Sequence, residues 1–562
     1  MKPLPAVLRI TGLLAVLPAV APLRAQSPDQ SAWGITGPNP LAMPVPGDHC
    51  LRILAPGVLE LTLITTKAPD ARPAQWDFAT GEGQASLPAP DQFTVTANGV
   101  PHGVSAVGFK RRALYAPLTK RDLRIGNYLT LQLAKPVSSD SVVEVTTPLN
   151  PKSRFVATAA KSRWSPVIHT NQTGYEPSWP KTAMVGYYTG STGELAVPPG
   201  DFHLVTMDGR EVFTGTLKPR PDEGFPSTVK PYQLALEADF SRFTVPGEYR
   251  LSVAGLGASY PFYIQEGITA AFARTCALGL YHQRCGCENA LPFTRFLHSP
   301  CHTAPAEIPT PDFKKTARHL ADMSADWNRN PRHTAPQLKD VNASLYPFVN
   351  QGKIDVSGGH HDAGDYSKYT INSAQFIHCL VFAADAFPGA GALDNLGIPE
   401  SGDHLSDLLQ IAKYEADFLV KLQDADGGFY FLVYPRERAY ENNVLPDKGD
   451  PQVVFPKNTA ATAAAVAALA QTASSPLFKR QFPGPAALYL ERARRGWAFL
   501  QNAIAKHGRD GSYQKITHYG DTFMHDDELA WAAAEMFLAT GDESIHQKLV
   551  AEFDPVSPAM KK

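Results

Sequence analysis

The feature that most constrains the fold of this chain is a change in its hydrophobic pattern near Gly267. Before this point, short runs such as 58–64 and 128–133 alternate apolar and polar residues with period two, as half-buried strands do. Turn pairs such as Asn98-Gly99 separate these runs. After Gly267, alanine-rich segments carry apolar residues at three- and four-residue spacing, which is typical of helices. The pattern therefore predicts β modules followed by an all-α domain.

The pattern also predicts where these modules begin and end. Residues 32–163 form a β-rich module of unknown role, and residues 166–265 have the size of an immunoglobulin-like β-sandwich. Residues 268–562 form the helical domain. Seven helices are predicted in it, over 268–284, 313–327, 373–387, 405–423, 459–472, 487–505 and 526–540.

The first 25 residues have the order of a secretory signal peptide. Lys2 and Arg9 precede an apolar run over 10–21, and small residues near Ala25 suit cleavage. The run is shorter than the roughly 20 residues needed to span a bilayer. We therefore expect residues 1–25 to be removed and the mature protein to be secreted or periplasmic.

The charge balance argues against two classes of partner. The 52 basic and 54 acidic residues give a net charge of −2. No basic field is available to hold nucleic-acid phosphates or an anionic membrane surface, so we expect neither as a partner. We further expect a monomer.

One loop carries a pattern suited to chemistry. In residues 356–366, glycines precede Asp362 and Asp365, which lie three positions apart just before a predicted helix. Three interpretations are open at this point: a helix cap, a metal site, or a hydrolase site where one carboxylate takes a proton from water.

The segment 358–369 resembles the Asp-Ala-Gly-Asp signature of family 9 glycoside hydrolases, which include many cellulases. Further blocks are similar to this family in the same order, at 168–175, 284–286, 298–302, 426–430, 455–462 and 527–535. The resemblance extends over about 166–543. It implies an immunoglobulin-like module followed by an (α/α)6-type helical barrel.

The resemblance also implies a reaction and its residues. Asp365 would be the general base and Asp362 would help to hold the water, in an inverting cleavage of β-1,4-glucan polysaccharide or oligosaccharide. Four residues are candidates for contact with the sugar, although packing in the core is an equally good interpretation for the aromatic ones. They are His361, Tyr366, Tyr430 and Trp531.

A structural metal site is implied by the same family. Two thiolates and two imidazoles are a usual zinc set. The implied ligands are Cys285, Cys301, His302 and His361. His360 is an alternative to His361, Cys287 could compete with Cys285, and a disulfide between Cys285 and Cys301 is a further alternative. Calcium binding is frequent in the family, but no ligands for it are identified here.

The family's general-acid glutamate lies in a C-terminal block whose pattern is absent from residues 552–562. We therefore expect an incomplete barrel, either as a fragment, which we favour, or as a shortened homologue. Two alternative functions remain open. One is an exo-acting glucosidase or glucosaminidase of the same fold, and the other is a carbohydrate-binding homologue without catalytic activity.

Overall fold

The computed structural model of the chain describes most of both predicted regions. The described residues are 43–67, 76, 78, 86–115, 123–220, 234–308, 345–364, 366–435, 445–448, 451–514, 516 and 525–552. The expected signal peptide, the predicted helix over 313–327 and residues 553–562 lie outside them.

The predicted order of β modules followed by helices is confirmed. The chain divides into two compact units, one ending at Glu266 and the other beginning at Gly267. All strands up to Ile264 belong to the first unit, which we call the β unit. All helices of more than three residues belong, within the described ranges, to the second, which we call the helical unit.

The first β module consists of eight strands in two antiparallel sheets. Their orders are β1-β2-β6-β5 and β4-β3-β7-β8. The strands are β1 His49–Ala55, β2 Val58–Lys67, β3 Thr94–Ala97, β4 Val100–His102, β5 Val104–Tyr115, β6 Leu123–Leu133, β7 Val142–Thr146 and β8 Phe155–Thr158. Apolar side chains from both sheets, such as Leu61, Leu131 and Phe155, form one core between them.

The second β module is again a pair of antiparallel sheets. One has the order β9-β10-β14-β13, and the other has the order β12-β11-β15-β16 with β17 also paired to β15. The strands are β9 Ile168–His169, β10 Thr182–Val185, β11 Asp201–Thr206, β12 Glu211–Thr216, β13 Lys218–Pro219, β14 Leu236–Asp239, β15 Gly247–Val253, β16 Gly257–Ala258 and β17 Phe262–Ile264. The core of this sandwich includes Phe202, Phe240 and Phe262.

Strands β2 and β6 are buried on both faces, which differs from the half-buried pattern that their alternation predicts. Leu59 and Leu61 point into the first core, yet Glu60 and Thr130 on the opposite face are also fully buried. The reason is that the second module packs against this face: the hydroxyl of Thr130 donates to the carbonyl of Thr189 at 3.2 Å. At Gly190, an added Cβ would lie only 2.1 Å from the backbone oxygen of Phe109, so this close approach requires glycine.

The helical unit contains nine described helices and a small sheet. The helices are α1 Ile268–Gln283, α2 Thr370–Ala386, α3 Pro388–Gly391, α4 Asp407–Lys421, α5 Thr459–Ser474, α6 Pro476–Gln481, α7 Pro483–His507, α8 Asp526–Thr540 and α9 Glu543–Glu552. The sheet has the order β19-β18-β22-β21-β20, built from β18 Ala306–Glu307, β19 Lys353–Ile354, β20 Lys368–Tyr369, β21 Leu432–Pro435 and β22 Gln452–Val454. Six of the seven predicted helices are present, α8 with the predicted ends and the other five with shifted ends, whereas no prediction covers α3, α6 and α9.

Helix α5 forms the centre of the helical unit. Its residues from Thr459 to Ala473 are all buried, and α2, α7 and α8 pack around it. Asn458 caps its N-terminus because the side-chain oxygen accepts a hydrogen bond from the backbone N–H of Ala461 at 2.8 Å. Its small alanine side chains allow neighbouring helices to approach closely on every side.

Within the described residues, no helix has both the length and the apolar character needed to cross a bilayer.

Candidate active-site loop and metal-ligand cluster

The loop with the two aspartates lies between β19 and α2 and is held against the segment that follows α1. The backbone N–H of Cys285 donates to the carbonyl of Gly359 at 2.8 Å, and that of His361 donates to Gln283 at 2.7 Å. Gly359 has φ +72°, and a Cβ there would lie 2.6 Å from the ring of Phe418. Glycine is therefore needed both for the left-handed backbone and for the close packing.

Asp362 lies at the exposed end of this loop. Its carboxylate accepts a hydrogen bond of 2.6 Å from the side-chain amide of Asn372, in the first turn of α2. Its backbone N–H donates to the carbonyl of Ser367 at 2.8 Å, which closes the loop. The carboxylate is thus oriented and open to solvent, as a group that acts on water must be. Asp365 lies outside the described residues.

Beside the loop, two cysteines and two histidines bring their donor atoms together. The four atoms lie within 4.8 Å of one another and belong to Cys285, Cys301, His302 and His361. The Nε2 of His361 is 3.3 Å from Nδ1 of His302, and sulfur-to-nitrogen distances are 3.8 Å. Tetrahedral coordination with ordinary metal–sulfur and metal–nitrogen bonds separates ligand atoms by about 3.3–3.8 Å. These four residues can therefore hold one metal ion.

The protonation states of Cys285 and His361 also suit a metal, whereas the Cys301 thiol would lose its proton on binding one. A hydrogen bond from the Cys301 thiol, helped by the Lys368 ammonium, holds the pKa of Cys285 well below its usual range. The same hydrogen bond raises the pKa of Cys301. Burial lowers the pKa of His361, which favours the neutral imidazole that a metal requires.

The structure separates the alternatives that the sequence leaves open. His360 turns away from the cluster, and its Nδ1 lies 2.5 Å from the carboxylate of Glu415, so His361 is the histidine of the cluster. Cys287 is not a member of the cluster. Cys285 and Cys301 are free thiols, which does not match the disulfide alternative.

Lys368, which no sequence motif marks as a site residue, is fully buried under the cluster. Its ammonium donates to the sulfur of Cys285 at 3.2 Å and to the carbonyl oxygens of Val356 and Gly358. The lysine thus ties the Cys285 sulfur to the loop that carries Asp362. The only sequence signal for it is its place two residues after Tyr366 and beside Tyr369, on the short strand that precedes α2.

The candidate sugar-contacting aromatic residues fall into different environments. Tyr366 packs against His302 and His361, with ring centroids 5.8 and 5.1 Å away, and is partly exposed. Trp531 on α8 is half-buried and lies edge-on to His378 of α2. Tyr430 has no exposed surface and packs against Phe348, so its ring contributes to the core and offers no face to a sugar.

The block around Lys457 also proves to be structural. Its buried ammonium forms ion pairs of 2.7 Å with Asp424 and with Asp426. Asp424 in turn accepts hydrogen bonds from the backbone N–H groups of Val349 and Asn350. This network holds the residues before β19, the strand that leads into the loop with Asp362.

One buried carboxyl group stands apart from these pairs. Burial, with a hydrogen bond that the protonated carboxyl donates to Asp527, raises the pKa of Glu528 to about 8. Among the described residues no cation pairs with it in a salt bridge. At neutral pH the Glu528 carboxyl is therefore protonated in most molecules.

Comparison with known proteins agrees with this architecture. The family model for glycosyl hydrolase family 9 matches residues 271–561, just over half of the chain, and the cellulase N-terminal Ig-like domain matches residues 163–258. The predicted immunoglobulin-like module and helical domain are thus confirmed. The expected incompleteness of the barrel stays a prediction.

Curated relatives include two bacterial endoglucanases. Endoglucanase D of Acetivibrio thermocellus is 28% identical over 401 residues, covering 69% of this chain and 55% of that protein. The xyloglucan-specific endo-beta-1,4-glucanase BoGH9A of Bacteroides ovatus is 27% identical, with 68% and 59% covered. The chain therefore spans little more than half the length of these relatives.

Solved structures show the same similarity. A metagenome-derived glycoside hydrolase family 9 endoglucanase superposes with a TM-score of 0.51 at 26% identity, covering 69% of this chain and 65% of that one. AaCel9A in complex with cellobiose-like isofagomine gives 0.50 at 26% identity, with 70% and 62% covered. Together with the matched family model, these similarities show that the chain belongs to glycosyl hydrolase family 9.

Proposed function

We propose that this protein hydrolyses the β-1,4 linkages of a glucan with inversion at the anomeric carbon. The observation that carries the proposal is the exposed carboxylate of Asp362, in the loop that bears the family signature. A hydrogen bond from Asn372 fixes its orientation. The relatives named as endoglucanases support a β-1,4-glucan as the substrate.

In the proposed reaction, Asp365 takes a proton from a water molecule as the water attacks the anomeric carbon. Asp362 accepts a second hydrogen bond from the same water, and Asn372 keeps the Asp362 carboxylate in place. The departing sugar oxygen takes a proton from a general acid, which inverting enzymes hold about 6.5–9.5 Å from the base. Tyr366 and Trp531 are the proposed sugar-contacting aromatic residues.

We further propose that the ion held by the cluster is zinc in a structural role. Four protein ligands leave no open coordination position, which is typical of structural zinc sites. The residues fit this ion because the two imidazoles and two sulfurs already have tetrahedral spacing. Such an ion would join the segment after α1 to the catalytic loop through His361, one residue from Asp362.

The proposed location of the protein rests on the sequence pattern alone. We propose that residues 1–25 direct export and that the enzyme acts outside the cytoplasm on polysaccharide too large to enter a cell. We also propose that it is a monomer.

The experiment compares the zinc-loaded protein with its Asp365→Asn and Glu491→Gln variants on soluble β-1,4-glucan. Reducing-end release should fall by about a thousandfold or more in Asp365→Asn, since a neutral amide cannot act as the base. Glu491 is a surface carboxylate on α7, so Glu491→Gln should retain full activity. Proton NMR at early times should show the α-anomer as the first product.

Each outcome has a clear meaning. Initial release of the β-anomer would contradict inversion, and equal activity of Asp365→Asn would contradict the assigned base. Folded, zinc-loaded protein that retains the glucan without cleaving it would contradict hydrolysis and favour a binding function.

A further inference from the structure

A cavity lies within the β unit, lined by residues far in the sequence from the proposed catalytic residues. Its volume is about 840 Å³, within the range that protein cavities offer to small ligands. It lies between the face of β2, β5 and β6 and the second β module, and its walls include Tyr128, Trp164, Tyr187 and Tyr260. We call it the intermodule cavity.

The walls of the intermodule cavity carry an excess of positive charge. Arg52, Lys110 and Arg112 line it, against the single carboxylate of Asp48. The carboxylate of Glu60 lies fully buried behind the wall, with Arg52 at 3.5 Å and Lys110 at 3.4 Å. Even with both carboxylates counted, one positive charge is left over.

Arg112 carries this excess charge. Its side chain is exposed and makes no hydrogen bond or ion pair with any other residue in the described part of the chain. Lys110, by contrast, donates to the carbonyl of Tyr188 at 2.7 Å and stacks over the ring of Tyr187 at 3.7 Å. The network between the modules therefore uses Lys110 and leaves Arg112 for another group.

We propose that the intermodule cavity binds an acidic oligosaccharide, with the carboxylate of a uronic acid directed to Arg112. Guanidinium groups recognise carboxylates strongly because they donate parallel hydrogen bonds to both oxygens. A pyranose ring packs against the tilted pair of Trp164 and Tyr260, whose centroids are 4.9 Å apart. A neutral glucan would leave the charge of Arg112 unmatched. This site is additional to the proposed hydrolysis and does not depend on it.

The test measures binding of two matched sugars to the full chain by isothermal titration calorimetry. One is cellotriose, and the other is the same β-1,4 trisaccharide with a glucuronic acid at its non-reducing end. The acidic sugar should bind at least about tenfold more tightly to the unmodified protein. Arg112→Gln should remove this preference, because the amide cannot form the charged pair with the uronic acid.

The matched control is Lys135→Gln, because Lys135 is an exposed cation of the same module that does not line the cavity. It should leave both affinities unchanged. Equal affinity for the two sugars, no measurable binding of the acidic sugar at 10 mM (roughly the weakest affinity that would matter here), or a preference that survives Arg112→Gln would each overturn the proposal. Equal losses in Lys135→Gln and Arg112→Gln would also overturn it, since general charge attraction would then be sufficient.

Discussion

The two units of this protein each bury a polar cluster, and only one of the two clusters has its counter-charges within the protein. In the helical unit, donor atoms that attract a cation converge, and they belong to Cys285, Cys301, His302 and His361. In the β unit, one buried carboxylate, Glu60, is surrounded by two cations and the hydroxyl of Tyr187. The first cluster is completed only by a positive ion. The second already has its counter-charges within the chain and needs no added ion.

The distances show why the clusters differ. The Nε2 of His361 is 3.8 Å from the Cys301 sulfur and 3.3 Å from the Nδ1 of His302, spacing that suits two ligands of one ion. By contrast, the hydroxyl of Tyr187 donates to Glu60 at 2.7 Å, an ordinary strong hydrogen bond. A cluster of ligands stabilises the fold through an ion, whereas a cluster of opposite charges stabilises it directly.

The largest effect is expected from breaking the ligand cluster with Cys301→Ser. Structural metal sites contribute directly to folding, so the melting temperature of the helical unit should fall by about 10 °C or more. Scanning calorimetry would measure this, and elemental analysis should find one zinc per chain before the substitution and none after it. Cys276→Ser is the matched control, because Cys276 is exposed on α1. An unchanged zinc content in Cys301→Ser would refute the ligand assignment.

A smaller loss is expected when the balanced cluster is broken with Glu60→Gln. Removing one partner of a buried charge network costs about 3 kcal/mol, because the remaining cations lose their counter-charge. Urea unfolding of the β unit would measure the free energy. The control is Glu144→Gln, which removes a surface pair with Arg154 and should have little effect. Comparable losses of unfolding free energy in the two variants would show that the buried ion pairs of Glu60 stabilise the fold no more than a surface pair does.

The smallest effect concerns Glu528, a buried carboxyl that resembles Glu60 but lacks its cations. Burial raises its pKa from 4.5 to about 8, so the folded state keeps a proton that the unfolded state releases between these values. The stability that this group contributes is therefore fully present below about pH 4.5 and is lost as pH rises toward 8. Glu528→Gln should flatten that decline and raise the melting temperature by about 3 °C at pH 8. Parallel pH profiles for the variant and the unmodified protein would contradict this assignment.

Much of the site could be predicted because its residues are close in sequence and have distinctive chemistry. The motif around Asp362 and the cysteine and histidine pairs indicated both the loop and the cluster. The choice between His360 and His361 could not be made from sequence, because adjacent residues differ only in the direction of their side chains. The backbone hydrogen bond from Cys285 to Gly359 and the contact between His360 and Glu415 direct His360 away from the cluster and leave His361 in it.

The burial of two other residues could not be predicted from the sequence, for different reasons. Tyr430 lies in a motif shared with sugar-binding enzymes, but the residues packed on both sides of it leave no exposed surface. Lys368 is a charged residue that a sequence pattern places at the surface, yet three acceptors compensate for its burial.

The sequence by itself determined the order of the modules, the family, and the residue types that meet in the loop and the cluster. These depend on local periodicity and on short motifs, which a linear chain records directly. Tertiary structure alone decided which histidine joins the cluster and which aromatic rings stay accessible. It also decided that the polar face of β2, including Glu60, is buried. Such facts depend on which distant surface covers a residue, because burial changes the free energy of a charge or ring without any change in its sequence neighbours.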